Sequence, residues 1–315
     1  MQYGFTLPVR GELANFDGIA GLAVHGERLG FTSATVADHI VIPARVESAY
    51  PYDASGRHPS HGDAMEALSL IAFVAGQTST LRLITSVLIL PYRNPVLTAK
   101  MVSTIDVLSR GRVTLGIGVG WMAEEFEALN APDFSRRGSV TDEWVTIFKK
   151  LWSPGPVEHA GKHYSFGSVR CEPLPVQKPH PPIWIGGHSV PALRRTARYA
   201  DGWHPLGTVE TAELRPPEFA ALLDDLRRMT EAFGRDFNDI TLAFVARLRE
   251  SKEPVAGNHR MPFSGSAAQL IEDVETYRAM GVTHLSFDFR RPTLTETLER
   301  MDWFASEVMA KTRRP

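Results

Sequence analysis

The chain has 315 residues, 43% hydrophobic and 22% charged, with a formal charge of -2, a balance that suits a globular chain able to bury a large core. Near-neutrality excludes the broad positive field by which proteins hold nucleic acid or an anionic membrane surface. The single cysteine, Cys171, excludes an internal disulfide and a cysteine-rich zinc site, and reads as a small buried thiol.

Eight short β-branched or apolar runs recur along the chain, at 3–7, 33–36, 81–90, 113–119, 182–185, 201–204, 240–246 and 283–287. Most are followed by apolar residues at helical spacing, such as Phe219, Leu222, Leu223, Leu226 and Phe233, or Leu294, Leu298, Met301, Ala305 and Val308. Strands alternating with helices pair in parallel, because each crossover returns the chain to the same end of the sheet. Eight such units predict an α/β fold in one domain over 1–315, a closed (β/α)8 TIM barrel with insertions. Ser266 and Gln269 form a capping-box pattern ahead of Leu270, Val274 and Tyr277, and Gly281 ends that helix. Three stretches, 37–63, 153–181 and 250–265, exceed ordinary connections and are expected to wall or cover a site, the middle one with a hairpin around 162–166. No basic-then-apolar leader opens the chain and no run reaches 18 apolar residues, so a cytoplasmic protein without a membrane partner is expected.

The stretch "VTLGIGVGWMAEEF" looks like a phosphate cradle but lacks its spacing, since Gly116, Gly118 and Gly120 alternate and Trp121 stands where a last glycine belongs. Glu124 and Glu125 suit the positive end of the following helix and would repel a pyrophosphate. They read as solvated helix-start charges. The alternating glycines either clear one face for a flat ring or relieve crowding inside the barrel. A better anion site is "IWIGGHSVPALRRTAR", where Gly186 and Gly187 end a strand, Ser189 can cap a helix, Pro191 fits its first turn, and Arg194, Arg195 and Arg198 follow. The same pattern also makes an ordinary tight βα corner. In "VADHIVIP", Asp38 and His39 stand just past the second strand, where a histidine is placed for proton transfer or is simply hydrogen-bonded at the strand end. His58, His61 and Asp63 lie in a loop without a partner cluster, and no metal is expected there.

Taken in order, "ADHIVIP", "LITSVLILPYRNPVLTAK", "VLSRGRVTLGIGVGWMAEEFEAL", "KPHPPIWIGG" and "ADGWHP" resemble the luciferase-like monooxygenase superfamily, particularly its F420-dependent oxidoreductase branch. The resemblance implies a modified barrel that binds a flavin or the deazaflavin F420 at the C-terminal ends of its strands. It also implies a non-prolyl cis peptide in the third strand near Ser86 and Val87. The ring would lie beside Gly118, Val119, Gly120 and Trp121, and the phosphate at Gly186, Gly187, His188 and Ser189. Trp121 and Trp203 would shape the pocket, with His39 as proton donor or orienting group and Asp38 as its neighbour. Some F420-dependent relatives with a histidine at the place of His39 carry a glutamate at the end of the fourth strand, where this chain has Trp121, so no two-residue acid/base pair is carried over; Glu124 or Glu125 could substitute, but each lies a turn further on and reads rather as a solvated helix-start charge. Arg194, Arg195, Arg290 and Arg291 would meet the anionic tail of F420.

The activity implied is hydride transfer between F420 and a small organic substrate. The alternatives are an FMN-dependent monooxygenase using O2 and a non-catalytic flavin-binding barrel. A separate cofactor-reducing enzyme and a homodimer are further implications.

Overall fold

The structure is a computed structural model that describes residues 1–58, 62–257 and 260–313. The eight runs become strands β1 (Gln2–Thr6), β2 (Ser33–Val36), β3 (Arg82–Thr85), β4 (Val113–Gly118), β5 (Ile183–Gly186), β6 (Gly202–His204), β7 (Thr241–Arg247) and β8 (His284–Asp288). All neighbours are parallel in the order β3-β2-β1-β8-β7-β6-β5-β4, and a β3–β4 pairing closes the ring. The fold is the expected (β/α)8 barrel.

Around it, among the described residues, run α1 (Phe16–Arg28), α2 (Ala67–Gln77), α3 (Pro95–Leu108), α4 (Ala123–Ala128), α5 (Arg137–Leu151), α6 (Val190–Tyr199), α7 (Pro216–Ala232), α8 (Ala267–Ala279) and α9 (Leu294–Phe304). The capping box of Ser266 and Gln269 opens α8, and Gly281, at φ +94, follows its end in the left-handed region that favours glycine. A second box, Thr293 with Glu296, opens α9. The aromatic side chains of Phe5, Phe31, Phe287, Phe289 and Phe304 lock β1 and β8 to the helices outside them, and each such buried ring contributes about 1.5–3 kcal/mol.

The third strand is interrupted where the resemblance places its cis peptide. Periodicity alone reads one run over 81–90, whereas β3 stops at Thr85 and resumes as the short strand Leu88–Ile89, with a cis peptide at Ser86-Val87 between them. The neighbouring glycines make this interruption possible. A Cβ on Gly116 would lie 2.0 Å from the Thr85 carbonyl oxygen, one on Gly118 2.4 Å from a Val87 methyl, and one on Gly186 2.6 Å from the other. The crowding explanation therefore holds for Gly116, while Gly118 and Gly186 hold the Val87 side chain between them.

The insertions carry small sheets of their own. The long β4–β5 connection forms an antiparallel hairpin of Val157–Ala160 with Ser165–Val169, its tip held by Glu143, which accepts from the backbone N–H groups of Lys162, His163 and Tyr164. Beyond β6, Thr208–Val209 pairs with Ala212–Glu213, and beyond β7, Arg249–Glu250 pairs with Ser264–Gly265. Cys171 is free and buried, and burial pushes its thiol above the usual value. No helix among the described residues is long and apolar enough to cross a membrane.

Candidate active site

A cavity of about 680 Å³ opens at the C-terminal ends of the strands, within the roughly 300–1,000 Å³ usual for small-molecule and cofactor sites. Its floor is built by the interrupted strand. Ser86 and Val87 line it together with Gly118 and Gly186, and the missing side chains at those glycines make the room that the two Val87 methyls fill. The Ser86 hydroxyl lies 3.0 Å from Nε2 of His204. Burial, then the nearby His284, pushes His204 down to about 3, so it is neutral at ordinary pH. Its Nδ1 is buried and has no hydrogen-bond partner among the described residues.

The wall over β4 is Val119, Gly120 and Trp121, with Tyr50 from the β2–α2 loop packed on Trp121 at 5.1 Å between ring centres. His39 lies behind this layer, 6.2 Å from the Trp121 ring and 4.7 Å from that of His58. Its Nδ1 stands 2.7 Å from Glu125 Oε2. The Glu125 side chain is 0% exposed, which corrects the expectation of a solvated helix-start charge. Its other oxygen accepts the Ile40 and Val41 backbone N–H groups at 2.8 and 3.2 Å. Burial opposes ionisation of Glu125, but the His39 hydrogen bond and charge together with the Ile40 N–H hold its carboxyl below the usual carboxylate range. Glu124 is likewise engaged, accepting from the N–H groups of Glu47 and Ser48 at 2.7 and 2.9 Å. The start of α4 thus faces the long β2–α2 loop rather than water, and it captures loop amides that would otherwise lack partners.

Asp38 also differs from expectation. It points away from His39, pairs with Arg93 through two contacts of 2.7 Å, and accepts the Ile89 N–H at 2.9 Å. Its carboxylate is used up in fastening β2 to the resumed part of β3. Consecutive residues leaving a strand point to opposite sides, so adjacency in sequence is not adjacency in the site.

On the β5 side the turn after Gly186 delivers Gly187 and Ser189 to the cavity, followed by Pro191, Ala192 and Arg195 of α6. Ser189 occupies the cap position of α6 without a side-chain cap bond. Arg195 is held by Asp142 at 2.5 Å and by the Gly138 carbonyl at 3.1 Å. Arg137, a wall residue that sequence reasoning missed, lies over the Phe134 ring at 4.1 Å, and its Nε is buried without a partner among the described residues. His188 and Trp203 are not among the lining residues. The Trp203 indole is fully buried, stacks on Phe219 and donates to the Gly187 carbonyl at 2.8 Å, bracing the turn from behind.

The four arginines grouped for an anionic tail do not assemble. Arg194 is exposed on α6 and Arg291 pairs with Glu250, whereas Arg290 lines the cavity across from Arg195. Arg10, Thr6, Thr35, Tyr50 and Arg247 complete the wall and carried no sequence signal, since they come from separate strand ends and loops. Among the described residues no group of three His, Cys, Asp or Glu side chains could hold a metal, and His61 lies outside those residues.

The architecture defines a class first: a TIM barrel with an open C-terminal cavity, a non-prolyl cis peptide in its floor and a glycine turn at one end. Residues 1–253 match the luciferase-like monooxygenase family, and the chain belongs to that family. An uncharacterized protein of Mycobacterium tuberculosis is 31% identical over 301 residues, covering 92% of this chain and 94% of its own. The FMNH(2)-dependent dimethylsulfone monooxygenase of Pseudomonas putida is 28% identical over 227 residues, 71% of this chain and 56% of that protein. Among solved structures, the coenzyme F420-dependent tetrahydromethanopterin reductase of Methanopyrus kandleri superposes with a TM-score of 0.78 at 15% identity, over 99% of each chain. An FMNH(2)-dependent monooxygenase thus stands among the curated relatives, and an F420-dependent reductase among the solved structures that share the fold.

Proposed function

We propose that the protein is an F420-dependent oxidoreductase that transfers a hydride between the deazaflavin and a small organic substrate. The carrying observation is the cavity floor. Gly118 and Gly186 are positions where a Cβ would strike Val87, so neither raises a side chain beside it and a planar ring can lie over the Val87 methyls. The second support is the donor set at the β5 end, where the uncapped start of α6 and the unpartnered Nε of Arg137 suit a phosphate. Bound there, F420 would supply hydride chemistry, and a deazaflavin, unlike a flavin, reacts poorly with oxygen.

The chain's own residues would do the rest. Gly187, Ser189 and Arg137 hold the anionic end. Val87 supports the ring, and Trp121 with Tyr50 keeps water from the reacting face. Glu125 fixes the orientation of His39 through Nδ1, leaving Nε2 as the atom that carries the proton to or from substrate. Because Trp121 and His58 stand beside the imidazole, proton delivery requires these rings to shift or a water to bridge them. A separate enzyme would regenerate the reduced cofactor.

The second reading, an FMN-dependent monooxygenase, is favoured by the FMNH(2)-dependent relative. Titration of the cofactor-free protein with F420 and with FMN, each with and without oxygen, separates the two. F420 binding with no FMN-dependent oxygen uptake is the expected result; tight FMN binding without F420 binding reverses the order.

A further inference from the structure

The charged residues lining the cavity are five arginines, Arg10, Arg137, Arg195, Arg247 and Arg290, and one carboxylate, Asp288. They do not form one cluster. In a closed barrel with this strand order, β4 and β5 face β8 and β1 across the mouth. Arg137 and Arg195 stand on the β4–β5 side. Arg10 follows β1, Arg247 ends β7 and Arg290 follows β8, so these three make a second positive pole opposite the turn at Gly186 and Gly187.

This second pole is under-neutralised. Arg290 donates through Nε to Asp288 at 2.9 Å. Among the described residues no carboxylate stands within ion-pair distance of Arg10 or Arg247; Arg10 instead meets the His58 ring at 3.5 Å, and Asp63 and Asp53 act only at longer range. The Tyr50 phenol lies within the field of all three guanidiniums. Burial, then Arg290, draws the Arg10 guanidinium below its ordinary value, and Tyr50, Asp63 and Asp288 only partly offset this. Beside Arg247 the wall turns apolar, with Leu206, Val245 and Ala246.

We propose that this pole binds the oxyanion head, carboxylate or sulfonate, of the organic substrate, whose apolar body lies along Leu206 and Val245. The proposal rests on the reading of the cavity as a combined cofactor and substrate site, and it divides the cavity's labour: one pole for the cofactor phosphate, the other for the substrate acid. Guanidinium forks match planar oxyanions through two parallel hydrogen bonds, which gives such a pole selectivity for acids over their neutral analogues.

The test is calorimetric titration with benzoate, ethanesulfonate and the neutral analogue benzamide, on the protein loaded with whichever cofactor binds and on the cofactor-free protein. Benzoate should bind at least about tenfold tighter than benzamide, the step that one lost charge-assisted contact of about 1.4 kcal/mol represents. Arg247→Gln and Arg10→Gln should each remove about that tenfold while leaving benzamide unchanged, and Arg137→Gln should leave benzoate binding in place. Equal affinity for benzoate and benzamide overturns the proposal, as does a loss that follows Arg137 instead of Arg247. Weakened F420 or FMN binding in Arg247→Gln with benzoate binding intact would assign the pole to the cofactor and also overturn it. If neither cofactor binds the wild-type protein, the oxidoreductase reading fails, while the anion titrations on the cofactor-free protein still decide this one.

Discussion

Two histidines stand at the C-terminal ends of strands on the same rim, and their surroundings set them apart. His39, past β2, points Nδ1 at a buried carboxylate 2.7 Å away. His204, at the end of β6, meets a serine hydroxyl, packs 5.5 Å from the Trp184 ring, and is pushed down to about 3 by burial and then by His284. The difference teaches that position on a barrel rim does not make an acid. Burial disfavours a charged imidazole unless an opposite charge is buried beside it. Glu125 places such a charge beside His39, and among the described residues no carboxylate pairs with His204.

The largest effect should come from removing the paired histidine. His39→Ala is expected to lower kcat by about 10²–10⁴, the range for a lost general acid, with cofactor binding retained. His204→Gln, which keeps a hydrogen-bonding group near Ser86, should cost less than about tenfold, since a neutral imidazole there moves no proton. A non-catalytic flavin carrier would show no loss for His39→Ala, and a greater loss at 204 than at 39 would reverse the comparison.

A smaller effect tests the counter-charge itself. Glu125→Gln keeps the shape of the contact but removes the charge facing His39 Nδ1, so kcat/KM should fall about tenfold. If stability falls and kcat/KM stays put, Glu125 only clamps the Ile40 and Val41 amides of the loop and takes no part in placing His39.

The barrel was legible in the sequence because its signal is repetitive: eight apolar runs, most of them followed by helical spacing, leave few other arrangements. The break in β3 was not legible from periodicity, since "LITSVLIL" alternates well enough for one strand; only the family resemblance pointed to Ser86 and Val87. Asp38 was misread because it is next to His39 in the chain, whereas in space it belongs to Arg93. Glu125 was misread for the opposite reason. Its partners lie 84 to 86 residues earlier, and an acidic residue in the first turn of a helix has a sufficient local explanation that hides the distant one. Arg10, Arg247 and Arg290 show the same limit, because a pole assembled from three strand ends leaves no motif in any one of them.

The smallest effect is on stability, and it separates His204 from Glu125 by pH window. His204 has a folded value of about 3 against about 6.5 in an unfolded chain. As pH falls below about 6.5 the unfolded state takes up a proton that the folded state refuses, so stability declines, by at most about 1.4 kcal/mol per pH unit for that one group. His58 and His284, both pushed down to about 4 chiefly by burial, add to the same decline. Glu125 acts lower. Its folded value lies below 4.5, so its contribution is present above the unfolded value and is lost as pH falls through the folded one. Urea unfolding measured from pH 7 to pH 4 should therefore show His204→Gln flattening the decline above pH 4.5, with Glu125→Gln flattening it only below. Were Glu125→Gln to flatten the upper window instead, the protons taken up on unfolding there would trace to Glu125 and its partners, and the contrast between the paired and the unpaired imidazole would not hold.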